Sequence, residues 1–243
     1  MNSGYIAVLD SGIGGISVLK KLEKAFPFEN FLYFGDNLNS PYGNRSRQNL
    51  LSLTIHNINI IKTYPVKMIV LACNTLSVNI LNEIKEYSNM VVFGIFPPVE
   101  SLMCSGKKTI LLSTVKTSQI FKSKNGFESV GFYDLASDIE RNLFCLEKVN
   151  FLNCKTNTFL DLKNCKKGDF QNVILGCTHY NFIKTQIVNH FQPQNVYDGI
   201  DNLISQMQKV IKKPKSLEKH CQNKTLFIGK NAKLNQIFYV KSG

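Results

Sequence analysis

The sequence predicts an open, layered α/β fold with parallel strands, and three observations carry that expectation. Short apolar runs alternate with helix-spaced amphipathic segments from one end of the chain to the other. That alternation means βαβ units, because parallel strands need a crossover, usually a helix. The 243 residues are 44% hydrophobic and 19% charged, enough apolar material for a sizeable core in one or two domains. Unusual polar and glycine-rich residues follow several apolar runs, just beyond the strand ends where such sheets bind their ligands.

Taken in order, Tyr5–Leu9, Phe31–Phe34, Met68–Ala72, Val91–Ile95, Thr109–Ser113, Val173–Gly176 and Leu226–Ile228 read as buried strands. Between them, Gln48–Tyr64 repeats Leu51, Ile55, Ile58 and Ile61 at helical spacing. Ser17–Ala25, Leu76–Tyr87, Phe182–Phe191 and Ile200–Ile211 read the same way. Glu128–Lys167 is the least regular stretch.

Composition excludes several classes. The longest apolar run, Met90–Val99, is too short to span a bilayer and is broken by Pro97 and Pro98. The start of the chain lacks the basic and apolar regions of a signal peptide. Seven widely spaced cysteines without a CxxC pair argue against a disulfide framework or a zinc site, so reduced thiols in a cytoplasm are expected. The net charge is +12, with nine lysines and only Glu218 opposing them between Lys209 and Lys241. No recognition motif or arginine cluster accompanies these lysines, so neither nucleic acid nor membrane is the expected partner.

Three strand ends carry chemistry. Leu9-Asp10-Ser11-Gly12-Ile13-Gly14-Gly15 turns into a helix start whose amides suit a carboxylate or phosphate. It is neither a dinucleotide fingerprint nor a phosphate loop of the GK[ST] type. Cys73 ends an apolar strand and precedes Asn74, Thr75 and a helix, a setting that favours a thiolate. Cys177 repeats the arrangement with Thr178 and, two residues on, His179. A tight glycine turn and buried structural cysteines would also account for each element singly. Together they suggest two-base chemistry at a carbon acid. One thiolate takes a proton from one face, and the other thiol returns one to the opposite face, given a water-poor site. A thiol hydrolase is the other reading of a Cys/His pair. Cys104, Cys154, Cys165 and Cys221 have no comparable context.

These residues resemble the glutamate racemases, cofactor-independent enzymes that supply D-glutamate for peptidoglycan. The resemblance rests on Asp10-Ser11-Gly12-x-Gly14-Gly15, Tyr33-Phe34-Gly35-Asp36 with Pro41-Tyr42-Gly43, Cys73-Asn74-Thr75-x-Ser77, Thr114-x-x-Thr117 and Leu175–Tyr180, with a diverged Tyr197–Asp201. It implies two similar α/β lobes facing across an active-site cleft, residues 1–93 plus 209–243 and residues 94–208. It further implies that Cys73 exchanges the proton with D-glutamate and Cys177 with L-glutamate, assisted by Asp10 and His179. Ser11, Tyr42, Gly43, Asn74, Thr75, Thr178 and Thr114 or Thr117 would hold the substrate. Neither cofactor nor metal is expected, and a homodimer is.

Three departures bear on specificity. Pro97 stands where the family usually has an acidic residue, and Ile120 where it has a small polar one. The family's glutamate near the substrate ammonium aligns without gaps to Cys145, with Glu140 and Glu147 as the neighbouring candidates. A racemase for another amino acid, or a catalytically degenerate binding protein, are the alternatives these departures leave.

Overall fold

A computed structural model describes residues 4–211, 225–229 and 238–239. Cys221 and most of the lysine-rich stretch lie outside the described residues. The first sheet contains β1 (Tyr5–Asp10), β2 (Asn30–Gly35), β3 (Val66–Leu71), β4 (Val91–Gly94), β9 (Thr225–Gly229) and β10 (Phe238–Tyr239), in the order β10-β9-β2-β1-β3-β4. All its pairings are parallel except that of β10 with β9. The second sheet, β6-β5-β7-β8, is wholly parallel, from β5 (Thr109–Thr114), β6 (Phe127–Phe132), β7 (Asn172–Gly176) and β8 (Asn195–Tyr197). The chain is thus α/β in two layered lobes.

The central strands are apolar on both faces because both faces are covered. In the first lobe, Ala7, Leu9, Leu32 and Ile69 point to one face, against Leu50, Ile58 and Ile61 of α2 (Arg47–Ile61) and Leu76, Ile80 and Ile84 of α3 (Asn74–Ser88). Ile6, Val8 and Val70 point to the other, against α1 (Ile16–Ala25). That face also takes Ile200, Leu203 and Met207 of α8 (Ile200–Gln208). The division expected from sequence put residues up to 208 with the second lobe, whereas α8 packs on the first. In the second lobe, Ile110, Leu112, Val173 and Leu175 meet α6 (Leu135–Arg141) and α7 (Lys184–Phe191). Val99 and Leu102 of α4 (Val99–Met103) cover the opposite face with Leu111 and Ile174.

Three strands escaped the sequence, one of them the two-residue β10 at the edge of the first sheet. β6 is interrupted by Glu128, Ser129 and Gly131, and it is an edge strand, which tolerates polar residues. β8 has only three residues and lies at the other edge. The irregular stretch resolves into most of β6, α6 and three single 3-10 turns. Among the described residues no helix is long and apolar enough to cross a membrane.

Candidate active site

The C-terminal ends of both sheets face each other, and the polar strand-end residues meet there. β1 ends on Asp10, β3 runs into Cys73, β5 ends on Thr114, and β7 runs into Cys177. Both cysteines have extended backbone and precede a helical turn, α3 after Cys73 and the 3-10 segment Thr178–Ile183 after Cys177. A cavity of about 10 Å³ lies between the lobes, roughly the space one water molecule needs. Ser11, Tyr42, Gly43, Cys73, Asn74 and Thr75 line it from the first lobe. Thr114, Cys177, Thr178 and His179 line it from the second. Pro41 and Ala136 complete the wall, and sequence reasoning had singled out neither as a contact.

Asp10 and Thr117 do not line the cavity, and each stands behind a residue that does. Asp10 is fully buried, and its Oδ2 accepts from the amides of Gly12 (3.2 Å) and Gly15 (2.9 Å). Its Oδ1 accepts from Thr178 Oγ1 across the lobes at 3.4 Å. Thr117, on the short α5 (Val115–Ser118), bonds Thr114 at 3.3 Å, and Thr114 meets Thr75 of the other lobe at 2.9 Å, hydroxyl to hydroxyl. Among the described residues, neither side-chain polar atom of buried Asn74 has a hydrogen-bond partner. An amide left so, with a donor and an acceptor facing a cavity, is arranged to bind a ligand carrying both.

The two thiols sit in unlike surroundings. Contrary to the thiolate-favouring setting expected from the helix start, burial and then the Asp10 carboxylate push the Cys73 thiol up to about 12, against hydrogen bonds from the Leu76 amide and the Ser11 hydroxyl. Cys177 Sγ lies 3.7 Å from His179 Nδ1, and His179 Nε2 lies 2.7 Å from Glu140 Oε1. Burial favours neutral imidazole, but the hydrogen bonds with Cys177 and Glu140 and the charges of Cys177 and Asp10 outweigh it and raise the His179 pKa. Glu140 is lowered although burial opposes this, chiefly by its hydrogen bond and charge interaction with His179. The two partners agree on an ion pair.

Of the three candidate replacements for the family's glutamate, the fold brings Glu140 to the site. Cys145 and Glu147 lie in the turns after α6, half-buried and exposed respectively. Glu140 does not line the cavity. Its Oε1 accepts from Ser40 Oγ at 2.8 Å and the Ile13 amide at 3.3 Å, both in the first lobe, as well as meeting His179. The available signal was spacing, since Glu140 lies one turn after the cavity residue Ala136 on α6. Ile120 is half exposed and away from the cavity lining.

Glycines allow this close approach. A Cβ on Gly12 would sit 1.8 Å from Glu140 Oε1, and one on Gly43 would sit 2.5 Å from Thr114 Cβ. Among the described residues, no group of three or more His, Cys, Asp or Glu is placed to hold a metal.

No protein-family model matches the chain. It is 34% identical over 220 residues to the glutamate racemase of Clostridium acetobutylicum, covering 86% of this chain and 84% of that protein. To the glutamate racemase of Leptospira interrogans it is 31% identical over 231 residues, covering 90% and 87%. The crystal structure of glutamate racemase isoform RacE1 from Bacillus anthracis superposes with a TM-score of 0.76 at 24% identity, over 96% of this chain and 90% of that one. At that identity the match speaks for the fold.

Proposed function

The chain belongs to the glutamate racemase family, and from that premise we propose that it interconverts L- and D-glutamate by proton transfer between two thiols. In the L-to-D direction, Cys177 as thiolate takes the Cα proton and becomes a thiol. Cys73 gives its thiol proton to the opposite face of the carbanion and becomes a thiolate. The reverse direction runs the same steps backward, and the chemistry balances without a cofactor. His179 exchanges protons with Cys177 and stabilises its thiolate, and Asp10 favours the protonated, donating form of Cys73. Asn74, Thr75, Thr114 and Thr178, with Ser11 and the Tyr42-Gly43 backbone, hold the substrate, with Thr117 supporting Thr114. The lobe boundary falls near Gly94 and again before α8, so that each lobe supplies one thiol.

The observation that carries this reading is the placing of Cys73 and Cys177 at matching strand ends of opposing lobes, on one small cavity walled by buried residues of both. Enclosure strengthens every hydrogen bond to the developing negative charge, which weak bases such as thiolates require. Solution as a homodimer, a cytoplasmic location and delivery of D-glutamate to peptidoglycan are the biological side of the proposal. Light scattering on the purified protein tests the first.

The chemistry is tested by proton NMR of L- and D-glutamate with the protein in D2O, without added pyridoxal phosphate, and a chiral assay on the same samples. Loss of the Cα–H signal with inversion from both enantiomers is expected, and Cys73→Ser and Cys177→Ser should each abolish inversion. Exchange with aspartate instead of glutamate would move the substrate, and no exchange with any amino acid would overturn the reaction.

A further inference from the structure

One buried carboxylate takes no part in that chemistry. Asp36 follows β2, is fully buried, and neither lines the cavity nor hydrogen-bonds a second-lobe residue among the described residues. Its amide donates to the Asp10 carbonyl at 3.1 Å, which fixes it to the end of β1. Among the described residues, every hydrogen-bond partner of its carboxylate is a donor. Asn39 Nδ2 reaches both oxygens at 2.9 and 3.0 Å, the Tyr42 hydroxyl reaches Oδ2 at 2.6 Å, and Asn57 Nδ2 of α2 reaches Oδ2 at 3.0 Å. Burial, together with the Asp36 contact, raises the Tyr42 pKa, so the phenol keeps its proton and donates.

The segment held this way crosses to the other lobe. Ser40 Oγ donates to Glu140 at 2.8 Å, the Lys116 amide donates to the Gly43 carbonyl at 3.1 Å, and Asn44 Nδ2 donates to the Tyr133 carbonyl at 2.6 Å. Gly43 lies flat against Thr114, with no room for a side chain. The same segment presents Pro41, Tyr42 and Gly43 to the cavity.

We propose that Asp36 is a positioning residue, the anchor of a strap formed by residues 39–45 that seats the substrate and ties the second lobe to the first. An acceptor-only group is needed there because Asn39, Tyr42 and Asn57 all donate toward it, and an amide would turn one acceptor into a donor facing donors. The kinetic part of the inference rests on the racemase reading above; the mechanical part does not.

The test compares full-length wild type with Asp36→Asn by glutamate kinetics in both directions and by hydrogen exchange of peptides spanning residues 39–45. KM is expected to rise about tenfold for both enantiomers with kcat within about twofold, because the strap serves binding rather than one thiol. The pH profile should stay in place. Exchange should quicken over 39–45 and stay unchanged in β1 and β3. Unchanged exchange over 39–45 overturns the strap, and a shifted pH profile or a loss confined to kcat overturns the positioning role in favour of a part in the chemistry. Should Asp36→Asn fail to fold, Tyr42→Phe removes the shortest of these contacts, and unchanged exchange in that variant overturns the strap equally. A wild type that does not racemise glutamate sinks the function while the exchange comparison still decides the strap.

Discussion

Cys73 and Cys177 repeat one local motif but face opposite helpers, and this difference is open to measurement residue by residue. With its thiol pushed up to about 12, Cys73 should carry its proton through the neutral range in the protein without glutamate. Its alkylation by iodoacetamide should therefore rise about tenfold per pH unit between pH 8 and 11, read by mass spectrometry of the Cys73 peptide. A rate that levels off near pH 8 would contradict that environment. The Glu140–His179 pair has two edges. Glu140 is lowered, so its contribution is present above the ordinary carboxylate range and is lost as pH falls through its folded value. His179 is raised, so its contribution is present below the ordinary imidazole range and is lost as pH rises through its folded value. The pair holds between those folded values. Glu140→Gln should pull the alkaline limb of the L-glutamate profile to lower pH and cut kcat by about tenfold, since it removes the group that orients and charges His179. A superimposable profile would assign Glu140 to interlobe packing alone. The strand-end residues were legible because a thiol, amide and hydroxyl after an apolar run are hard to explain by packing. Glu140 was legible as one of three candidates for the family's glutamate, but its grip on the first lobe was not, because Ser40 and Ile13 lie 100 and 127 residues away. The Gly35-Asp36 strand end was legible too, but its partner Asn57, 21 residues on in α2, was not.

At the scale of elements, long apolar strands and the helix Gln48–Tyr64 were readable from period alone, and the observed α2 differs only at its ends. β6, β8 and the 3-10 turns were not, because short edge segments take their structure from neighbours rather than from their own pattern. α8 was readable as a helix but not as a first-lobe helix, since its partners Ile6, Val8 and Leu22 are almost two hundred residues earlier in sequence. Its entry depends on Gly199, with φ of 78°, whose added Cβ would lie 2.1 Å from the Phe96 carbonyl oxygen. The two chain crossings between lobes therefore touch at this point. Gly199→Ala should cost about 2–3 kcal/mol in urea unfolding, from left-handed strain together with that collision. A change below about 0.5 kcal/mol would show that the crossings move apart freely.

For the molecule as a whole, closure is the organising fact. Ser40, Gly43 and Asn44, together with Thr75 and Asp10, hold the second lobe through hydrogen bonds, while Lys21 pairs with Asp198 at 3.0 Å. A ligand that binds only the folded, closed chain stabilises it by about 2.7 kcal/mol at one hundred times its Kd. D- and L-glutamate should both raise the melting temperature on that scale, and D-lysine, whose side chain is cationic, should not. Equal shifts from all three would point to a general salt effect. The two-lobe arrangement itself was implied by the residues carrying the family resemblance, whereas the tightness of the closure was not, because it depends on backbone-to-side-chain distances at Gly12 and Gly43.

The small enclosed cavity has a consequence for the bookkeeping of protons. Each turnover on the two-thiol route leaves the protein in the mirror image of its starting state, with the charge moved from one sulfur to the other. A closed chamber this small gives solvent access to the two sulfurs only when the lobes part to exchange substrate and product. On the proposed two-thiol route the protein would therefore carry a memory of the enantiomer it last converted. At high concentrations of one enantiomer, product formation would then be limited by how fast solvent erases this memory, not by bond breaking at carbon.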